Sequence, residues 1–258
     1  MKCRFLQLIV PATLSRHTIV IGGFVMRTLT ILASSLVLSA TVLIAAPVQD
    51  RLSDSAAVFS EIMGTPDKGI PQDLLNRAQC VVIIPGLKKG AFVVGGQYGR
   101  GFAVCRRENV GWGVPAAVRV EGGSVGFQIG GSSTDVVMLV MSQRGMDKLT
   151  SDKFTIGADA SAAAGPVGRT AQAATDVELH AEILAWSRAR GAFAGISLNG
   201  ATMRPDAKEN EDLYGKKMTN REILTSTMAP PEAAHPLIAA LDKYSAHRET
   251  TGAAERQR

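Results

Sequence analysis

Hydrophobic positions near residue 50 repeat with the period of an α-helix. Leu52, Ala56, Phe59 and Met63 share one face of a helix that the pattern predicts over residues 49–63. The Gly-Thr-Pro sequence that follows is typical of a helix end. Residues 71–79 predict a second, shorter helix with proline in its first turn. The pattern therefore places two helices before the part of the chain that is rich in β-branched residues.

Short apolar runs separated by glycine, proline or asparagine then replace the helical pattern. They cover residues 81–85, 91–99, 101–107, 112–120, 124–130 and 135–141. Their spacing of roughly 8–12 residues is typical of an antiparallel sandwich or barrel. Strand-like texture returns at residues 154–158, 181–187 and 193–198, after a helical turn or two at 145–151. The last two of these runs are joined by a tight turn over residues 188–191.

The chain becomes polar and helical after Pro205. The pattern predicts helices over residues 206–217, 219–226 and 236–247, followed by a charged, disordered tail. The predicted fold class is α+β: a glycine-rich antiparallel β-core, barrel- or sandwich-like, with short peripheral helices at both ends.

The net charge of +5 is concentrated in the first 47 residues, which contain four basic residues and no acidic one. The rest of the chain carries 24 basic and 23 acidic side chains, a net charge of +1. A nearly neutral remainder does not indicate nucleic-acid binding.

The first 48 residues resemble a targeting segment. Arg27 supplies a short positive region, and an uncharged apolar run from Leu29 to Ala46 ends in small residues. We take Met26 as the start, so residues 1–25 are an annotation extension and residues 26–48 a signal peptide. The alternative is an uncleaved N-terminal anchor, because about 18 apolar residues approach the length of a membrane span. We expect an exported protein, either periplasmic or membrane-associated.

Cys80 and Cys105 are the two cysteines beyond the leader. They could form a disulfide in an oxidising compartment. The sequence favours the alternative, in which both are small apolar side chains buried in or beside strands. Two cysteines and four scattered histidines do not make a metal site, and no cofactor is expected.

Two motifs suggest enzymes and fail on their physical requirements. Gly90 and Gly95 have the Walker spacing, but Gly96 and Gln97 follow where lysine and a hydroxyl residue are needed. Gly122–Gly126 has the GxSxG pattern around Ser124, yet a strand-like sequence follows where the nucleophile elbow needs a helix. Asp176 and His180, four residues apart, could complete such a site, but no signal brings them to Ser124. A serine hydrolase is therefore the weakest hypothesis.

Three aspartates, Asp135, Asp159 and Asp176, lie among apolar or small residues, where a carboxylate pKa can be perturbed. Turn formation or pairing with an arginine is the commoner role for such aspartates. No catalytic role is assigned to them.

Basic residues are more suggestive, because five of them lie at the ends of the first β-runs. If these runs pair as hairpins, several cations could share one rim and attract anionic headgroups. The alternative is an ordinary solvated surface with acidic neighbours. The candidate headgroup-binding residues are Lys88, Lys89, Arg100, Arg106 and Arg107.

Several long segments resemble the SYLF domain family. They are RLSDSAAVFSEIM, PDKGIPQDLLNRAQCVVIIPGLKKGAFVVGGQYGRG, GWGVPAAVRVEGGSVGFQIGGSSTDVVMLVM, KFTIGADASAAAGPVGRTAQAATD, AEILAWSRARGAFAGISLNGATMRPD and NEDLYGKK. The resemblance covers about residues 50–218. Residues 49–218 are assigned to the SYLF domain and residues 219–258 to a helical, partly disordered tail.

The resemblance implies a non-enzymatic module that associates with membranes. Eukaryotic relatives bind phosphoinositides, partly through an amphipathic N-terminal helix, and some fungal relatives bind actin. The matching helix here, residues 50–63, holds three acids and one base, which is unfavourable for anionic lipid. Lys88, Lys89 and the nearby arginines are therefore the better candidates.

The function expected from the sequence is binding of anionic phospholipid headgroups by basic residues of a β-rich domain, without catalysis. The alternative is a structural or protein-interaction module of the cell envelope, with an envelope protein as partner. Actin is not expected to meet an exported protein.

Overall fold

The structure, a computed structural model, describes residues 47–65, 69–91, 94–107, 111–125, 130–167, 180–189 and 192–245. All of them belong to the compact unit Ala46–Arg258. The predicted leader, apart from residues 47–48, and the end of the charged tail lie outside these residues. No helix among the residues described is long and apolar enough to cross a membrane.

The described residues form ten strands. They are β1 Cys80–Ala91, β2 Val94–Arg107, β3 Gly111–Trp112, β4 Ala116–Val125, β5 Gly130–Val140, β6 Phe154–Thr155, β7 Ala162–Ala164, β8 Ile183–Ala189, β9 Ala192–Gly195 and β10 Thr202–Pro205. Eight of them lie side by side in the order β6-β10-β4-β2-β1-β5-β8-β7, while β3 pairs with β2 and β9 with β8. All these pairs are antiparallel except β7 with β8. The curled sheet confirms the predicted β-core, with one parallel pair added.

Six α-helices flank this sheet in the described chain. They are α1 Val48–Met63, α2 Gln72–Arg77, α3 Gln143–Leu149, α4 Ala207–Tyr214, α5 Asn220–Thr225 and α6 His235–Tyr244, with a 3-10 turn at Glu232–Ala234. They confirm the helices predicted at both ends of the chain. The predicted strand over residues 124–130 falls largely outside the described residues.

The sheet is buried on both faces, which explains why its strands are continuous apolar runs rather than alternating ones. On one face, Val81, Ile83 and Phe102 pack with Leu52 and Phe59 of α1. We call this the α1 face. The opposite face has a second core that includes Val82, Ile84, Val136 and Met138. The position of the sheet between two cores fixes which side chains of each strand can reach solvent.

The sequence predicted two strands where the structure has one, β2. The glycines at positions 99 and 101 suggested a break, but β2 continues through them. Glycine is needed at these positions because β1 passes very close. A Cβ on Gly101 would lie 1.9 Å from the carbonyl oxygen of Ile83. Glycine inside a strand here marks a close approach of two backbones.

Cys80 and Cys105 form a disulfide, so the favoured interpretation of two unpaired cysteines was wrong. The two residues are directly opposite each other in the β1–β2 register, with their Cα atoms 3.9 Å apart. The interpretation failed because the register between strands 25 residues apart cannot be seen in local periodicity. Both side chains are nevertheless buried, as the sequence indicated.

Reduction of this disulfide is expected to lower the free energy of unfolding by about 3 kcal/mol, because the bond limits the entropy of the unfolded chain across a separation of 25 residues. Denaturant titration with and without a reducing agent measures the change. The Cys80→Ala/Cys105→Ala variant is the control and should show no further loss on reduction. A wild-type protein whose intact mass and stability do not respond to reductant would contradict the disulfide.

Candidate functional site

Four strands extend beyond the helix-covered part of the sheet as a ladder made mostly of glycine, serine and lysine. This glycine-rich arm consists of residues 88–91 of β1, 94–98 of β2, 121–125 of β4 and 130–134 of β5. Its described side chains on the central strands are largely exposed, in contrast to the buried rows below them. The described part of the arm is therefore open to a partner.

A β-bulge in β1 separates the arm from the core. The register of β1 with β2 shifts between Ile83 and Lys88, and that of β1 with β5 between Ile84 and Leu87. Gly86 adopts a φ of 60° there, and its N–H donates to the Asp135 carboxylate at 2.9 Å. Because the bulge inserts an extra residue, Ile84 and Leu87 both face the core opposite α1. Alternation then puts Lys88 on the α1 face and Lys89 on the opposite face.

Lys88 lies directly opposite Tyr98 of β2 and Ser133 of β5. Its side chain is exposed, and Tyr98 is 48% exposed, the largest apolar side chain so placed among the described residues. No ion pair of either Lys88 or Lys89 occurs within the described part of the chain. An ammonium group beside an amphipathic ring can contact both the charged and the apolar parts of an interface.

Arg100 follows Tyr98 by two residues on β2 and forms ion pairs with acidic residues of the protein. Its guanidinium is 2.5 Å from the Asp206 carboxylate and 2.9 Å from that of Glu209, at the start of α4. The hydrogen bond with Asp206 raises the pKa of Arg100, which therefore stays charged. Glu209 also pairs with Arg51 of α1. Burial raises the pKa of Glu209, and the Arg51 and Arg100 guanidinium groups oppose that rise.

Arg106 and Arg107 lie at the opposite end of β2. Eight residues separate Arg106 from Tyr98, or about 26 Å along the strand. The Arg106 guanidinium donates to the carbonyls of Leu75 and Ala78 at the end of α2, at 3.2 and 3.1 Å, and to the Ser245 hydroxyl. It also stacks 4.2 Å from the ring centroid of Trp112. Arg107 donates to the Ser226 carbonyl at 2.8 Å, just beyond α5.

The five candidate cations therefore do not share one rim. Lys88 and Lys89 lie together on the arm, while the three arginines bind carboxylates or carbonyls of the helices. The sequence did not single out Tyr98, Arg119 or Arg204, which lie on the same face as Lys88. The alternation of polar and apolar positions in AVRVE and in TMRP indicates that these arginines lie on the solvent side of a strand. Only the strand register shows that they are neighbours.

Of the residues considered for catalysis, Asp135 and Asp159 have structural partners and Ser124 lies inside a strand. Ser124 lies within β4, paired with Gly95, rather than at a turn between a strand and a helix. Asp135 pairs with Arg188 at 2.6 Å, and Asp159 accepts the Thr155 N–H at 2.7 Å. Asp176 lies outside the described residues.

A polar cavity of about 360 Å³ lies away from the arm. Its lining residues are Arg144, Gly157, Ala158, Asp159, Ser161, His180 and Glu182. Glu182 accepts a hydrogen bond from the Ser161 N–H at 2.7 Å, and its carboxylate lies 3.5 Å from Arg144. Both partners line the same cavity, so the charge of Glu182 is paired there. Within the ranges that the structure describes, no three histidine, cysteine or acidic residues are arranged to hold a metal ion.

Comparison with known proteins identifies the family. Residues 121–244 match the Ysc84 family, described as "Las17-binding protein actin regulator". LAS seventeen-binding protein 3 of Saccharomyces cerevisiae is 34% identical over 179 residues, or 68% of this chain and 39% of that protein. SH3 domain-containing protein PJ696.02 of Schizosaccharomyces pombe is 35% identical over 176 residues, or 67% of this chain and 41% of that protein.

Similarity extends to animal proteins. SH3 domain-containing YSC84-like protein 1 of Homo sapiens is 28% identical over 197 residues, or 75% of this chain and 57% of that protein. The matched region spans about two-fifths of the length of the yeast relatives. The names of these relatives refer to LAS seventeen binding in the yeast protein and to an SH3 domain in the human one. With the matched segments distributed over the curled sheet and its helices, the chain belongs to the Ysc84 (SYLF) domain family.

Proposed function

We propose that this protein binds the surface of anionic phospholipid membranes through the glycine-rich arm, without catalysis. The observation that carries the proposal is the pair Lys88 and Lys89, which has no ion pair within the described residues and of which Lys88 lies directly opposite exposed Tyr98. Lysine acts as a point charge for headgroup phosphate, and each lysine near an anionic surface contributes about 1 kcal/mol.

The geometry favours contact through the end of the arm. Lys88 and Lys89 point to opposite faces of the sheet, so a flat membrane can meet both ammonium groups only when the strands approach it end-on. The tyrosine ring suits the depth of the headgroups, where its hydroxyl stays hydrated and its ring contacts acyl chains. The small residues of the arm, glycines and serines, allow the lysines to approach the phosphates without steric hindrance.

Arg100, Arg106 and Arg107 have an indirect role in this proposal. Arg100 anchors β2 to α4, while Arg106 and Arg107 hold the ends of α2 and α5. These contacts keep rigid the sheet from which the arm extends.

The Lys88→Glu/Lys89→Glu variant is expected to bind anionic vesicles more than about tenfold more weakly than wild type, because two attractive charges become repulsive. Sedimentation with phosphatidylcholine vesicles, with and without phosphatidylserine, measures this loss. The wild-type protein should prefer the anionic vesicles and release them as salt is added.

Lys216→Glu/Lys217→Glu is the matched control. It makes the same charge change at another adjacent, exposed lysine pair, which follows α4 rather than lying on the arm. Equal losses in both double variants would show that overall charge, not the arm, drives binding. Equal binding of wild type to neutral and anionic vesicles would contradict the proposal.

A protein-interaction function is the second candidate. The family description and the yeast relatives' names refer to Las17 binding and actin regulation. Among the described strands, none pairs with the outer edge of β4 beyond Glu121 or with that of β5 before Asp135. Such edges can accept an added strand of a partner. Co-sedimentation with actin filaments in the absence of lipid, unaffected by Lys88→Glu/Lys89→Glu, would favour this function.

Export remains part of the proposal. A buried disulfide is typical of proteins that fold in an oxidising compartment, and it supports a periplasmic or membrane-associated location. Intact mass of the protein isolated from its own cells would show whether the leader is removed.

A further inference from the structure

Three arginines form a row across neighbouring strands on the α1 face. Arg204 of β10 is directly opposite Arg119 of β4, and Arg119 is directly opposite Arg100 of β2. Residues opposite each other on an antiparallel pair have their Cβ atoms about 5 Å apart, and like charges in such positions repel. A row of three guanidinium groups therefore requires negative charge nearby.

The carboxylates that neutralise these three arginines are unequally distributed among them. Arg100 has two carboxylates, those of Asp206 and Glu209. Among the described residues, Arg119 and Arg204 share one carboxylate, that of Glu121, at 2.9 and 3.7 Å from their Nε atoms. Counting only these described groups, one positive charge is left over at the pair.

The two guanidinium groups also have unused hydrogen-bonding capacity. Within the described part of the chain, the Nε atoms of Arg119 and Arg204 are shielded from solvent and make no hydrogen bond. The Arg119 N–H does not point at the Glu121 oxygen 2.9 Å away, and the Arg204 Nε, at 3.7 Å, is beyond hydrogen-bond distance. An unused donor in a shielded position costs free energy unless a ligand accepts from it. Both side chains are still reachable, with 36% and 38% of their surface exposed.

The row of residues next to the arginines lies on the same face of the sheet. Glu121 is opposite Tyr98, and Tyr98 is opposite Lys88, so the next row holds a hydroxyl and an ammonium group beside the arginine pair. We propose that Arg119 and Arg204 form a subsite for a phosphate group, with Glu121 occupying part of it when no ligand is bound. The planar forks of two arginines match the oxygens of a phosphate. The phosphate could belong to a lipid headgroup, a case that rests on the membrane function proposed above, or to a soluble compound.

The subsite predicts effects of opposite sign at neighbouring residues. Arg119→Gln/Arg204→Gln should weaken phosphate binding about tenfold or more, because charge-assisted hydrogen bonds are lost. Glu121→Gln should strengthen it, because the competing carboxylate is removed. A row that serves only the stability of the sheet would not give tighter binding in the Glu121 variant.

The first arm of the experiment uses the full chain and inorganic phosphate. Thermal stabilisation by phosphate is measured against chloride at equal ionic strength, since a ligand that binds the folded state raises its stability. Stabilisation is expected for wild type and for Lys88→Glu/Lys89→Glu, with a loss for Arg119→Gln/Arg204→Gln and a gain for Glu121→Gln. Arg119→Lys/Arg204→Lys keeps the charge without the forks, so it should bind at an intermediate level and serves if the glutamine variant does not fold.

The second arm uses vesicles of phosphatidylcholine with phosphatidic acid, whose headgroup is a phosphate monoester. Phosphate stabilisation without vesicle binding supports a site for free phosphate and overturns the membrane proposal. Vesicle binding that is unchanged in the arginine variants, together with no stabilisation by phosphate, overturns the subsite and leaves the membrane proposal standing. Loss in both arms for the arginine variants supports a headgroup subsite.

Discussion

Gly101→Ala is expected to destabilise the protein by about 4 kcal/mol or more and to leave little folded protein. The added Cβ would lie 1.9 Å from the carbonyl oxygen of Ile83 and 2.8 Å from its carbonyl carbon. These atoms belong to the backbone of β1, so a rotamer change cannot relieve the clash. The strands would have to separate at the centre of the sheet, where Ile83 and Phe102 form the core. Denaturant titration followed by tryptophan fluorescence measures the loss.

Gly90→Ala is the matched control, since it makes the same change on the partner strand. No described atom lies within 4 Å of the position of its Cβ, and the residue is exposed on the arm. Its free energy of unfolding should remain within about 0.5 kcal/mol of wild type. If Gly101→Ala were as mild as Gly90→Ala, the close approach of β1 and β2 would be wrong.

These two glycines illustrate what the sequence could and could not predict. Local patterns were sufficient for the apolar runs, the helix that carries Leu52 and Phe59, and the α+β class. The role of a glycine depends on what lies across the strand, because the same residue type marks a backbone contact at position 101 and an open surface at position 90. Such contacts join parts of the chain that local periodicity does not relate.

The same limit of local patterns applies to the candidate site, of which the sequence could indicate some residues but not their grouping. Lys88 and Lys89 were conspicuous between glycines, and the structure places them on the exposed arm. Grouping Arg100, Arg106 and Arg107 with them assumed hairpins at those points, whereas β2 runs unbroken and carries Arg106 to the far end. Arg119 and Arg204 are 85 residues apart in sequence and become neighbours only through the β4–β10 register.

Phe59→Ala is expected to lower the free energy of unfolding by about 3–5 kcal/mol, the usual range for truncation of a buried phenylalanine. Phe59 of α1 is fully buried, and its ring packs edge-on against Tyr244 of α6, with 6.2 Å between ring centroids. Leu52 and Ile62 on the same helix face are equally buried. Denaturant titration measures the loss, and Asp54→Ala, an exposed change on the same helix, should have little effect.

The same variant separates two roles for α1. If the apolar face of α1 served as a membrane contact, as the resemblance implies for eukaryotic relatives, Phe59→Ala would weaken vesicle binding and cost little stability. The structure uses that face to cover the sheet, and ion pairs fix both ends of the helix, Arg51 with Glu209 and Glu61 with Arg188. We therefore expect Phe59→Ala, measured where it is still folded, to bind anionic vesicles as wild type does. Binding lost with Phe59 but kept in Lys88→Glu/Lys89→Glu would move the membrane contact from the arm to α1.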